Sequence, residues 1–321
     1  MAVLLGFLLV GVAGAHAQVA APPATAFPYL QHRSAVWIAA QLHSLLAGLV
    51  LGTLIIAVAV EWGGRRKENP WYDRLARELA QVAMMANIMG ALSGGFFLFL
   101  LVGSYPGFAT SLVSQFFPVF AGVYPLLFVV FTVALVFYLY SWDRFTHESK
   151  GRHIAIGVLL IMIGAVILGV IEGPHSFMNT PGKALSGGTL EDVLGGTTLW
   201  ARMANESWLP FSLHQFVSSL MLGGFIGGLI AVYGSLGAGS QEGGAYYGWK
   251  GFVGSLIGLA GLMLVPLTGY YAVMHLCHYD DAICRYMEER LSMYLYLQGC
   301  VVGFMFLGGN MYLWLRLKRV D

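Results

Sequence analysis

"LAQVAMMANIMGALSGGFFLFLLVGSYPGFATSLVSQFFPVFAGVYPLLFVVFTVALVFYLYSW", Leu79 to Trp142, contains no charged residue. A helix crosses a bilayer with about 20 predominantly apolar residues. The run is therefore long enough for two crossings, broken near "SYPGF" and Pro118. Uncharged stretches elsewhere supply the other spans: Ser34 to Val60 the first, Ile154 to Ile171 the fourth, Ser207 to Gln241 the fifth, Gly251 to Tyr279 the sixth and Leu291 to Leu315 the seventh. "DRLARELAQ", ahead of the second span, reads as an interfacial turn with its charges among the headgroups. The expected fold class is all-α: a polytopic transmembrane bundle of seven spans.

Composition agrees. Of 321 residues 58% are hydrophobic and only 10% charged, where a soluble domain carries about 25% charged residues. A net charge of +1 gives no reason to expect nucleic acid or an acidic substrate. The 42 glycines suit membrane helices, whose backbones approach closely at small residues. The N-terminus, "MAVLLGFLLVGVAGAHAQ", reads as a signal peptide cleaved after Ala17, or as a retained anchor helix. The domain reading is residues 1–17 as signal or anchor and 18–321 as one membrane domain.

Loop charge sets the orientation, because cytoplasmic loops are enriched in Lys and Arg. With the first span running inward, the inner side holds Arg65, Arg66, Lys67, Arg74, Arg77, Arg144, Lys150, Arg152, Lys250, Arg316, Lys318 and Arg319, twelve in all. The outer side holds five: Arg33, Lys183, Arg202, Arg285 and Arg290. This predicts a bacterial inner-membrane protein with a periplasmic start and a cytoplasmic end. The longest outer connection, containing "GKALSGGTLEDVLGG", is expected to be a loop with a short helix.

The polar residues then fall into a pattern. His43, His175, His214, His275 and His278 all come out near the outer ends of their helices. Ionisable groups inside a membrane are costly and mark function by default. Imidazole and methionine are common haem iron ligands, so His43 and His214 are read as candidate haem ligands, with Met293 at the depth of His214 as a possible second ligand. Each lone histidine can instead be a helix–helix hydrogen bond, and any of the 14 methionines can be ordinary packing. His147 and His153 are expected in a solvated cytoplasmic loop. Glu172, His175, Glu288 and Glu289 are candidates to take protons from a quinol; the plainer reading is a polar rim. Cys277 and Cys284, six residues between them, both fall outside, where an oxidising periplasm favours a disulfide. The alternative there is metal binding with His275, His278, Asp280 and Asp281. Without a CxxCH motif the chain attaches no c-type haem of its own.

An ordered set of segments resembles subunit I of the cytochrome bd quinol oxidases. "LHSLLAGLVLGTL" is similar to the family's first helix, "MMANIMGALSGGFFLFL" to its second, and "YLYSWDRFTHESKGRHIAIG" to its third-to-fourth connection. "GPHSFMNTPG", with Met178, Asn179 and Pro181, resembles the family's G-W-M-Q-N-P; "LPFSLHQFVSSLMLGGFIGG" and "WKGF" resemble the fifth helix and the start of the sixth. The resemblance implies that His43 ligates a haem of the high-spin pair and that His214 ligates the low-spin haem b. It places His175 and Met178 beside the cofactor.

Departures are equally specific. By the resemblance the family's two acidic residues in the third helix fall at Val123 and Phe131 here, and its last two helices are expected to lack a counterpart. "ERLSM" offers Arg290 and Met293 at a spacing one longer than the family's R-x-M. Its long quinol-binding loop shrinks to about a dozen residues. With no carboxylate inside the uncharged runs, oxygen reduction lacks the family's proton route. The expected function is a haem b membrane subunit relaying electrons between the quinone pool and a periplasmic c-type cytochrome, or another redox subunit of a larger complex. The alternatives are a bd-type terminal quinol oxidase completed by a partner chain, and a non-redox anchor that has lost its haems.

Overall fold

A computed structural model describes residues 31–145, 149–181, 198–237 and 241–317. The signal or anchor segment, "GKALSGGTLEDVLGG" and His147 lie outside the described residues. All regular structure within them is helical: α1 (His32–Lys67), α2 (Pro70–Ser104), α3 (Pro106–Gln115), α4 (Tyr124–Tyr140), α5 (Lys150–Phe177), α6 (Leu199–Met203), α7 (Trp208–Leu236), α8 (Gln241–Tyr279), α9 (Asp281–Tyr286) and α10 (Ser292–Leu317). Six helices are long and apolar enough to cross a membrane: α1, α2, α4 with the π-turn before it, α5, α7 and α8. A seventh span exists if α9 and α10, bent by 74° between Asp281–Arg290 and Leu295–Leu315, count as one.

Local chemistry explains the joints. α1 ends where Glu68 takes a left-handed conformation, φ 53°, and returns its N–H to the Gly64 carbonyl. Asn69 then caps α2 by accepting from the Trp71 N–H at 2.9 Å, with Pro70 at the first helical position. The result is a tight antiparallel hairpin. "DRLARELAQ" is therefore no interfacial turn: Asp73 to Gln81 are helical and continuous with the second span. The long uncharged run does break at Tyr105, but α3 and a π-turn at Val119–Val123 fill the gap before α4.

Glycines set the packing of α1, α7 and α8. A side chain on Gly52 would overlap the Ser219 carbonyl, and one on Gly223 would lie 2.6 Å from the Gly52 carbonyl carbon. Gly224 and Gly258 meet backbone to backbone in the same way, as do Gly228 and Gly254. With no hydrophobic drive between helices in lipid, such close backbone contact is what holds them together. α1 and α7 run parallel, and α8 runs antiparallel to both.

A compact core of Val50–Val60, Leu75–Ala86, Phe131–Trp142 and Ile154–Leu160 fills the half of the bundle toward the ends that carry Arg65, Arg74 and Arg144. Toward the other end the packing opens. Trp37, Ile38, Leu42 and Leu45 of α1 and Met89, Leu92, Phe96 and Phe99 of α2 stand exposed. His43 and His214 sit in this open half.

Candidate functional site

His43 lies on the open part of α1, half-buried against α2. Its Nδ1 is 3.0 Å from the Gly90 carbonyl and 3.4 Å from the Ser93 hydroxyl. Ser93 gives its own hydrogen to the Gly90 carbonyl at 3.0 Å. A carbonyl only accepts, so Nδ1 carries the ring proton and Nε2 keeps its lone pair. No hydrogen bond engages Nε2 among the described residues. Phe97 stacks on the ring at 6.4 Å between centroids. Gly94 faces it so closely that a Cβ there would be 2.7 Å from Cε1.

His214, two turns into α7, has the same construction. Its Nδ1 is 3.2 Å from the Thr268 hydroxyl of α8. That hydroxyl donates to the Val265 and Leu264 carbonyls at 3.1 and 3.2 Å, so it receives the Nδ1 hydrogen. Gly269 faces the ring, with a Cβ there falling 3.2 Å from Cε1. Metal-bound histidines are usually held in this manner, the second ring nitrogen donating to a carbonyl or other acceptor. Two imidazoles with Nε2 free, each opposite a glycine, could each hold a haem iron.

The other candidates are placed unevenly. Glu172 is buried, and its carboxylate meets His175 Nδ1 at 3.0 Å one turn on. The His175 ring lies 6.0 Å from Phe211 of α7, one turn before His214, so this pair sits at the same end as the two histidines. Trp208 donates to the Gly169 carbonyl at 2.7 Å, and Asn205, Ser207, Thr180 and Ser176 form a polar seam that joins α5 to α7. Met178 is exposed just past α5. Met293 is also exposed, at 71%, one residue into α10. Glu288 and Glu289 are exposed in a π-turn. Cys277 and Cys284 form a disulfide with Cα atoms 5.3 Å apart. Their sulfurs are thereby engaged, and no described group of His, Cys, Asp and Glu is arranged to hold a metal ion. His275 and His278 instead approach Glu206, each at 4.0 Å.

A second expectation is overturned. His153 is not in a solvated loop: α5 begins at Lys150, and the ring is fully buried in the core. Its Nδ1 meets Glu61 Oε1 at 2.5 Å, and its Nε2 donates to the Tyr138 carbonyl at 2.9 Å. The Tyr138 hydroxyl donates to Glu61 Oε2 at 2.6 Å. Lys150 bridges Glu61 and Asp73 at 3.3 and 2.8 Å, and the Trp142 indole N–H donates to Asp73 at 3.1 Å. A carboxylate therefore does enter the bundle, at Glu61, one residue past the apolar run that defined the first span. Helical spacing was the available signal: Lys150 and His153 share a face, three residues apart, and the dense charges of "DRFTHESKGRH" concealed it.

The model of a family described as cytochrome bd terminal oxidase subunit I matches residues 32–293. Among solved structures, a chain of the bd oxidase from Geobacillus thermodenitrificans matches with a TM-score of 0.61 at 21% identity, over 76% of this chain and 56% of that one. At that identity the likeness is one of fold. The chain thus spans little more than half the length of its structural relative. No curated protein matches it.

Proposed function

Because the chain belongs to the cytochrome bd terminal oxidase subunit I family, we propose that it is a haem b-binding integral membrane subunit of a quinol-linked electron-transfer complex. The observation that carries this reading is the shared construction of His43 and His214, each with Nδ1 donating to an acceptor, Nε2 free and a glycine opposite the ring. His43 and His214 hold the haems, and Met293 is the proposed second ligand at His214. Haem b bound there supplies one-electron transfer. The protein's own contribution is to orient the imidazoles and to set the potential by ligand identity and burial.

The charge asymmetry of the loops supports a periplasmic position for these histidines. A quinol oxidised at that end gives up electrons and protons together. The buried Glu172 carboxylate, paired with His175, is positioned to receive a proton; Glu288 and Glu289 stand exposed where they can pass protons to water. The electrons leave toward a redox partner on the same side, a c-type cytochrome or another subunit of the complex.

A second reading, a terminal quinol oxidase completed by a partner chain, gains from Glu61. A buried carboxylate at the basic end offers a proton foothold that the apolar runs lack. It lies 18 residues from His43, about 27 Å along α1 at 1.5 Å per residue, so the relay remains the better-supported reading. Anaerobic addition of a reduced quinol to the purified protein tests it. The relay predicts reduction of a b-type absorbance band and no oxygen uptake once air is admitted. Steady oxygen uptake selects the oxidase, and a colourless protein selects a non-redox anchor.

A further inference from the structure

The two histidines differ in what accepts their Nδ1 hydrogen. For His43 it is chiefly a backbone carbonyl, Gly90 O at 3.0 Å. For His214 the nearest acceptor is a side chain, the Thr268 hydroxyl at 3.2 Å, with the Val265 carbonyl as a further backbone partner of the ring. We infer that Thr268 is a positioning residue that fixes the tautomer and ring orientation of His214, and through them the affinity and redox potential of the haem held there. This rests on the reading of His214 as a haem ligand.

Three observations support the inference. First, the Thr268 hydroxyl has a single hydrogen and two carbonyl acceptors behind it, Val265 O at 3.1 Å and Leu264 O at 3.2 Å. Back-bonding of this kind is a usual rotamer for threonine in a helix. It orients the oxygen lone pairs toward α7 before anything binds. Second, the distance between Thr268 and His214 is set by backbone. A Cβ on Gly261 would lie 2.8 Å from the Met221 Cα, and seven residues on from Gly261 and seven back from Met221 brings Thr268 to His214. Third, Gly269 stands directly beside Thr268 and leaves the space the ring occupies, since a Cβ there would be 3.2 Å from His214 Cε1. Acceptor and clearance therefore come from adjacent residues of one helix. Pro266 interrupts the backbone hydrogen bonds of that helix two residues earlier.

A hydrogen-bond acceptor on the remote ring nitrogen raises the basicity of a metal-bound imidazole. Greater basicity favours ferric over ferrous iron, so losing the acceptor raises the potential. Outer-shell partners of this kind typically contribute about 10- to 100-fold in metal affinity. A tenfold preferential loss on the ferric side corresponds to about 59 mV for a one-electron couple.

The test uses the full chain purified from membranes, with Thr268→Val, Thr268→Ala and Thr268→Ser compared with wild type and with His214→Ala. The readouts are the midpoint potential of the low-spin b signal and the rate at which haem is lost to excess apomyoglobin. The Val and Ala variants are expected to retain a low-spin signal, raise its potential by about 59 mV or more and release haem about tenfold faster or more. Ser, which restores the hydroxyl, is expected to return both values to wild type. Wild-type potential and retention in Val or Ala overturn the inference, and so does a Ser variant as impaired as Val. His214→Ala separates the two levels: if it keeps the wild-type low-spin signal, the ligand assignment fails. If it loses the signal while Thr268→Val behaves as wild type, only the positioning role fails.

Discussion

Replacing His153 by alanine tests whether the basic end of the bundle is held by a buried polar cluster or by a solvated loop. The ring makes two hydrogen bonds, to Glu61 at 2.5 Å and to the Tyr138 carbonyl at 2.9 Å, and stacks on the Tyr138 ring at 4.3 Å. It is fully buried, as is Glu61. Removing one partner of a buried hydrogen bond leaves the other polar group unsatisfied, at a cost of about 1–3 kcal/mol. Glu61 keeps Tyr138 at 2.6 Å and Lys150 at 3.3 Å, which moderates that cost, but the lost packing of the buried ring adds to it, so the loss should be about 3 kcal/mol. That is more than about a hundredfold in the unfolding equilibrium, at about 1.4 kcal/mol per factor of ten. The assay is reversible unfolding by SDS in mixed micelles, followed by far-UV circular dichroism. Glu61→Gln, and the double variant with His153→Ala, complete a cycle. Contacting residues in one network couple by about 0.5–3 kcal/mol, so the double variant should be less damaged than the sum of the singles. Single losses below about 0.5 kcal/mol, the usual range for surface changes, with strict additivity would refute the buried-cluster reasoning.

Gly52→Ala forces a methyl into the Ser219 carbonyl of α7; neither backbone can yield, so α1 and α7 must separate, at a cost of about 1–3 kcal/mol in the same unfolding assay. Gly94→Ala sets a Cβ 2.7 Å from His43 Cε1. It should lower the haem bound at His43 while leaving the His214-dependent spectrum unchanged, as read by haem extraction and difference spectra. Alkylation and intact-mass measurement should find Cys277 and Cys284 blocked before reduction and labelled after it, with Cys300, the free cysteine, labelled in both.

The spans were legible because they rest on length and the absence of charge, both additive along the chain. Leu79–Trp142 had to cross twice, and it does, with the break at Tyr105 where Pro106 starts a new helix. Where charge and helix overlap, the same rule fails. Asp73, Arg74, Arg77 and Glu78 look interfacial in sequence but lie within α2, Glu78 being neutralised by Lys250 of α8 at 2.5 Å, a residue 172 positions away. His153 was misplaced for the same reason, since its partners Glu61 and Tyr138 come from two other helices. At the opposite end, sequence depth brought His43, His175 and His214 to one side. It could not reveal that Gly90, Thr268, Gly94 and Gly269 orient and clear the rings, because those contacts depend on the rotational setting of α1 against α2 and of α7 against α8.

The proposed relay depends on His214 holding a haem iron through Nε2. Its most direct test is the reduced-minus-oxidised visible spectrum of the purified chain beside that of His214→Ala, with circular dichroism to verify that both are folded. The expected result is a low-spin b-type band in wild type that disappears in the folded variant. An identical band in both, or none in either, would contradict it.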